Sequence, residues 1–235
     1  MKVDRRRTAN RMTSLVRASW GAAVLRPYNS WAAPVQRPNN SWASRAHLNR
    51  LENWFCSTGY WRRVTQRQVL PWIISGASLG EHVLEIGAGP GAATAELRRL
   101  APRVTSLEWS HAFAANLVAR EGDGNGGVLQ GDAAALPFAS ESFSSVVAVL
   151  VLHHLRSLEQ QDRAFREIYR VLRPGGVLLV AEIADGWLQR AIHWKSTFVP
   201  VMPAGIPGRL AAAGFSRVSV ASRRAGFQFQ ASKRA

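Results

Sequence analysis

The stretch His82-Val83-Leu84-Glu85-Ile86-Gly87-Ala88-Gly89-Pro90-Gly91-Ala92 decides the fold. Val83, Leu84 and Ile86 form a short apolar run of the kind that makes a strand buried on both faces. Gly87, Gly89 and Gly91 then turn the chain without side chains, so backbone N–H groups can approach a ligand closely. Residues 92–100 are good helix formers, so the loop opens into a helix N-terminus. Strand, glycine loop and helix together predict a site for a nucleotide-like ligand at the end of a parallel strand.

Two chemistries fit the loop taken alone. Gly87, Gly89 and Ala92 satisfy the G-x-G-x-x-G/A dinucleotide pattern, and the acid expected about 20 residues on is present as Glu108. Against a pyrophosphate, Glu85 sets a carboxylate just before the first glycine, where it suits a cationic ligand group better. Gly91 adds a third glycine at alternate spacing. The choice falls to the motifs downstream.

Those motifs alternate strand and helix. Residues 103–107 read as a second strand ending at Glu108, where a carboxylate can accept from both hydroxyls of a ribose. Residues 112–120 read as a helix, 122–127 as a flexible loop and 128–130 as a short strand. In the following Gly131-Asp132-Ala133, Asp132 is placed to accept from an exocyclic amine and the next backbone N–H to reach a ring nitrogen, with Leu136 and Phe138 as an apolar wall. Residues 144–152 form the next buried strand, ending in His153-His154. An amphipathic helix over 163–172 is stopped by Arg173-Pro174-Gly175-Gly176. A strand over 177–183, a helix over 209–213 and a closing hairpin near 215–221 and 226–231 complete the pattern. Strands alternating with helices imply an α/β fold with right-handed crossovers and a largely parallel sheet covered on both faces.

The chain of 235 residues has a formal charge of +15, but the charge is not spread evenly. Residues 1–46 hold nine Lys/Arg against one acid and residues 186–235 hold eight against none, while residues 47–185 hold thirteen against fourteen. The core carrying the motifs is therefore near neutral. No aromatic RNA-reading motif or zinc-finger spacing is present, so nucleic acid is not the expected partner. A single cysteine, Cys56, excludes an internal disulfide framework and a cysteine metal cluster, and no metal ligands are assigned. It points to a reduced, cytoplasmic setting. No apolar run approaches the roughly 18 residues of a membrane span.

Residues 1–46 contain an eleven-residue repeat, with Ser19-Trp20, Ser30-Trp31 and Ser41-Trp42 in phase. Pro27, Pro34 and Pro38 forbid a continuous helix, and the short units bury little, so disorder is expected. A second reading takes this segment as upstream sequence before the native start. Residues 47–75 read instead as a cap of amphipathic helices, with Pro71 breaking or kinking the second. Tyr60 or Trp61 is the candidate to line a cavity over the glycine loop. Residues 76–235 form the main domain.

In order, Val83–Gly91, Glu108, Gly131-Asp132-Ala133 with Leu136-Pro137-Phe138, and Leu172–Gly176 resemble the class I S-adenosylmethionine-dependent methyltransferases, of the type 11-like kind, over about residues 48–231. The stretch from Asn49 to Cys56 is similar to the beginning of small actinobacterial members, which places their initiator at Leu48. The resemblance implies a Rossmann-like sheet of seven strands, mostly parallel with the last antiparallel and helices on both faces. It also implies S-adenosyl-L-methionine as cofactor. Gly87, Ala88, Gly89 and Gly91 would approach its methionine part, Glu85 its amino end, Glu108 the ribose, and Asp132 with Ala133 the adenine. Trp109-Ser110 departs from the family's aliphatic-aspartate pair, and Trp109 is placed to stack on the adenine.

Methyl transfer from a sulfonium is an in-line displacement, so alignment supplies much of the acceleration. A base is needed only if the acceptor must lose a proton, and His154 is the candidate for it. The acceptor is expected between the N-terminal helices and residues 185–207, where Trp187, Trp194 and Phe198 favour a flat or apolar small molecule. Two other classes remain: a cofactor-binding module without chemistry, and a nucleic-acid methyltransferase. The absence of an Asn/Asp-Pro-Pro-Tyr/Phe-type motif after the fourth strand counts against the second.

Overall fold

The structure is a computed structural model that describes residues 48–121, 126–224 and 226–235. The repeat of residues 1–46 and most of the 122–127 loop lie outside these residues. A seven-stranded sheet runs in the order β3-β2-β1-β4-β5-β7-β6. Its strands are β1 (His82–Ile86), β2 (Arg103–Glu108), β3 (Val128–Gln130), β4 (Phe143–Val149), β5 (Leu172–Ile183), β6 (Ser216–Arg223) and β7 (Gly226–Ser232). β1 pairs parallel to both β2 and β4, β2 to β3 and β4 to β5, whereas β7 runs antiparallel to both its neighbours. The expected seven strands with an antiparallel last one are thus present.

Alternation along each buried strand builds two cores, one on each face. Leu84 and Ile86 of β1, Val146 and Ala148 of β4, and Leu178 and Val180 of β5 face one way. They pack with Phe165 and Ile168 of α6 (Leu158–Val171) and with Ile206 and Leu210 of α8 (Ile206–Ala212). Val83, Val147, Leu179 and Ala181 face the other way and pack with Leu97 of α4 (Thr94–Leu100) and Leu70 and Ile73 of α3 (Leu70–Ile74). At about 0.8 kcal/mol per buried methylene, these two layers dominate the stability of the domain.

The helix α6 ends at Val171 and the chain enters β5 at once. Residues 173–176 are looped out between the pairings Phe143↔Leu172 and Ser145↔Val177, so Pro174 removes no ladder hydrogen bond and Gly175 takes φ +76°. The N-terminal cap comprises α1 (Arg50–Ser57), α2 (Gly59–Val64), a π-helical turn (Thr65–Val69) and α3. The break or kink expected at Pro71 takes the form of an interruption in the α bonding just before it, with Pro71 in the first turn of α3. The π turn, in which Leu70 N–H donates to Thr65 O, shifts the bonding just before the proline, and helical structure continues to Ile74.

Strand connections leave β1 in one direction and β4 in the other. Their carboxyl ends therefore frame a crevice at the point where the strand order reverses, which is where open α/β sheets bind ligands.

Candidate functional site

A cavity of about 770 Å³ occupies that crevice, near the upper part of the range for ligand pockets. Its floor is the glycine loop after β1. Gly87 takes φ +72°, and a Cβ there would collide with the Val151 side chain. Gly89 takes φ +53°, and a Cβ there would meet nothing within 4 Å, so it would project into open space. Ala88 and Pro90 also line the cavity. Gly91 does not; its missing side chain makes room for Leu117 and Arg120 of α5 (His111–Glu121). Gly91, expected at the ligand, therefore stands outside the cavity lining and packs against that helix. Arg120 Nη2 donates to Pro90 O at 2.7 Å and ties the loop to that helix.

Two buried carboxylates line the cavity beside the loop. Glu85, 3% exposed, accepts at one oxygen from Thr94 Oγ1 (2.8 Å) and Ser106 Oγ (2.6 Å). Burial pushes its carboxyl up to about 6, against the opposing pull of these two hydroxyls. Glu108 at the end of β2 accepts Gly89 N–H at 2.8 Å and Ser110 N–H at 2.7 Å. Burial raises its carboxyl too, and the backbone donors oppose the shift. Trp109, Asp132 and Ala133 complete this end of the wall. Asp132 accepts Ala134 N–H at 2.8 Å with one oxygen. Leu136 and Phe138 were expected beside it as an apolar wall, but they lie in the core instead. Arg170 of α6 donates to the carbonyls of both residues, and Phe138 packs edge-on to Phe143 at 5.0 Å.

The other end of the cavity holds three histidines and the cap. His153 and His154 form a short 3₁₀ turn (Leu152–His154) after β4, and His193 follows α7 (Trp187–Ile192). His153 Nδ1 lies 2.6 Å from Glu182 Oε2, while Glu182 Oε1 accepts the N–H groups of Val151 and Leu152. His154 Nδ1 lies 3.1 Å from Thr197 O, which makes Nδ1 the donor and leaves Nε2 with the lone pair. Burial pushes the His154 imidazole well below its ordinary value, with His153 adding to the shift, so it is neutral. His193 Nδ1 lies 2.7 Å from Gln189 O, and burial lowers its ordinary value as well.

The cap closes over this end through Asn49. Its side-chain oxygen caps α1, Glu52 Oε2 returns the bond to Asn49 N–H, and its amide nitrogen donates to the carbonyls of Ile192 (2.7 Å) and Trp194 (3.2 Å). Trp61, Trp72 and Phe55 line the cavity, whereas Tyr60 is exposed. Trp187 is 81% exposed and Trp194 is also exposed; neither lines the cavity, and Phe198 stacks on His193 at 4.4 Å. The expected contribution from residues 185–207 comes instead from Gln189, Ile192, His193 and Thr197. Thr65, in the π turn, is buried on the cavity wall with its hydroxyl lacking a hydrogen-bond partner.

Glu52, Thr65 and Glu182 were not singled out from the sequence. The spacing Asn49-x-x-Glu52 carries a capping-box signal, and Glu182 interrupts an apolar strand run. Thr65 carries no signal of its own.

Residues 84–180 match a family described as a methyltransferase domain. The matched stretch runs from β1 into β5 and covers less than half of the chain. The chain is 29% identical over 190 residues to a demethylmenaquinone methyltransferase of Thermobifida fusca, covering 68% of this chain and 77% of the relative. It is 34% identical over 125 residues to the enzyme of that name from Mycobacterium tuberculosis, covering 53% of this chain and 48%, about half, of the relative. Among solved structures, the complex of the Haloferax volcanii Trm112 methyltransferase activator with a methyltransferase aligns at TM-score 0.64 and 16% identity. That alignment covers 78% of this chain and 97% of the other, and it bears on the fold alone.

Proposed function

We propose that this chain is an S-adenosylmethionine-dependent methyltransferase that transfers a methyl group to a flat, largely apolar small molecule carrying an acidic hydroxyl or carbon, such as a phenol or quinol. The observation that carries the reading is one continuous cavity with an acidic, glycine-floored end at the switch point and a histidine and aromatic end beneath the cap. The mycobacterial and Thermobifida relatives bear a quinone substrate in their names, which supports an aromatic acceptor.

The residues present fit the cofactor. The open space above Gly89 admits an uncapped chain at the loop, and Glu85 supplies a negative group near its amino end. Glu108 is held by two N–H donors in an orientation that leaves further lone pairs for a cis-diol. Asp132 keeps an oxygen for an exocyclic amine, Ala133 offers its N–H, and Trp109 offers a ring face. The lone Thr65 hydroxyl supplies one more polar contact. When bound, the cofactor supplies an electrophilic methyl on a sulfonium. The chain then holds the acceptor in line between Trp61, Trp72 and the histidines, excludes water under the cap, and presents His154 Nε2 as a neutral proton acceptor. We place the protein in the cytoplasm; among the described residues no helix is long and apolar enough to cross a membrane.

Calorimetry of the full chain with S-adenosylmethionine, beside Gly89→Arg, tests the cofactor site, and release of S-adenosylhomocysteine with naphthoquinols and phenols tests the acceptor. Binding lost in the variant, with turnover on at least one aromatic hydroxyl compound, supports the reading. Binding without turnover on any acceptor would leave a cofactor-binding module and overturn it.

A further inference from the structure

The geometry points to a site for a divalent cation of the zinc class, held by His153, His154, His193 and Glu52, that fastens the N-terminal cap to the core. Three histidines from two distant segments bring one ligand nitrogen each to within 4.8 Å of the others. The Nδ1 atom of each already lies against an oxygen acceptor: Glu182 Oε2 at 2.6 Å, Thr197 O at 3.1 Å and Gln189 O at 2.7 Å. Each Nδ1 is therefore the protonated nitrogen, and the three lone pairs are left on Nε2. This carboxylate-or-carbonyl clamp on the far nitrogen is the arrangement that fixes tautomer and ring orientation in histidine metal sites.

Glu52 lies outside that cluster of three and is assigned as the fourth ligand through its contact with His193. His193 Nε2 lies 3.1 Å from Glu52 Oε1, although Nδ1 of the same ring already donates to Gln189 O. A neutral His193 then sets a nitrogen lone pair directly against a carboxylate oxygen. A cation bound to both resolves that contact, because two donors each about 2.1 Å from a tetrahedral metal sit about 3.4 Å apart. The three ring centroids lie 4.1, 5.2 and 5.5 Å from one another. Glu52 and Glu182 bring two buried carboxylates into the same space, which a doubly charged ion balances. The oxygen and nitrogen donors suit zinc, and four protein ligands make a closed site of the structural kind.

The consequence is mechanical. Glu52 stands on α1, His193 follows α7, and the paired histidines follow β4, so one ion joins the cap, the segment after β5 and the switch-point crevice. With the ion bound, His154 Nε2 is a ligand and no longer a proton acceptor, so the metal-loaded chain should serve only acceptors that need no base from it.

The test uses the full chain, stripped with a chelator and titrated with Zn²⁺ or Co²⁺ alone. Expected are one equivalent bound per chain, an intense visible band of four-coordinate cobalt, and a higher Tm with zinc. His154→Gln and His193→Gln each weaken binding on the order of a hundredfold or more, whereas His111→Gln, on the exposed face of α5, leaves it unchanged. Circular dichroism establishes that each variant is folded; should His193→Gln unfold, His154→Gln decides, since it leaves the His193–Glu52 pair intact. No stoichiometric binding by the wild type, or equal binding by the folded His154→Gln chain, overturns the proposal.

Discussion

Glu85 offers a perturbation whose size follows from its surroundings. Its carboxyl sits wholly inside the protein and titrates near 6 rather than 4.5, because burial disfavours the charge more than Ser106 and Thr94 favour it. The folded state therefore holds the proton more tightly than the unfolded chain. As pH rises, the unfolded chain ionises first, and stability falls between about 4.5 and 6 and then levels off. A displacement of about 1.5 pH units corresponds to about 2 kcal/mol of lost stability at neutral pH. Glu85→Gln keeps the acceptor oxygen for Ser106 and Thr94 and removes the charge. The variant should gain about 2 kcal/mol on the wild type between pH 4 and pH 8, a double difference that cancels any pH-independent cost of the amide. Urea unfolding across that range measures it directly. The same variant should bind S-adenosylmethionine more weakly, since the destabilising charge is the one proposed to face its amino end. A stability difference independent of pH would refute the electrostatic account of this residue.

Three further outcomes are expected. His82 is buried against Phe143 with its imidazole lowered to about 4, so folding stability should fall as pH drops below 6.5 towards 4; His82→Gln should flatten that acid slope in urea titrations. The Cys56 thiol is pushed up to about 11 by burial, with Glu52 adding to the shift, so alkylation by iodoacetamide at pH 8 should run about 100-fold slower than for a thiol of ordinary acidity; a rate equal to free cysteine refutes this. Both Gly89 (φ +53°) and Gly91 (φ +81°) strain any side chain, but Gly91→Ala adds a collision with Leu117 and Arg120 and should lose about 1–3 kcal/mol, more than Gly89→Arg, whose side chain projects into open space and should abolish binding. Equal unfolding midpoints for the two variants would contradict this division.

The sheet was legible because its signal is local. Val83, Leu84 and Ile86 alternate between two cores, and the glycines after them leave little choice of structure. The cavity-lining positions of Glu108, at the end of β2, and of Trp109, Asp132 and Ala133, just past strand ends, follow for the same reason, since strand ends meet at the switch point. Leu136 and Phe138 misled because apolar character cannot distinguish a cavity wall from a core; Arg170, more than 30 residues on, decides by holding their carbonyls. The packing of Gly91 was not legible because the partner it accommodates is a helix further along the chain. The meeting of Glu52 with His193 is set by tertiary docking across 141 residues, which no window of sequence reports.

The π turn at Thr65–Val69 accommodates one residue more than an ordinary helical turn would. Each residue of a helix advances it by about 100°, so that single surplus residue acts as a gear between α3, anchored on the sheet, and the helices before it. Deleting one residue from the turn would rotate α1 and α2 by roughly that angle about the axis of α3. Trp61, Phe55 and Glu52 would swing away from the crevice together, while the sheet and its glycine loop stayed as they are. The ceiling of the cavity is thus timed against its floor by the length of one turn, and an inserted or deleted residue there would change which acceptor fits and shift the Thr65 hydroxyl, while the glycine loop and the carboxylates at the strand ends stayed in place.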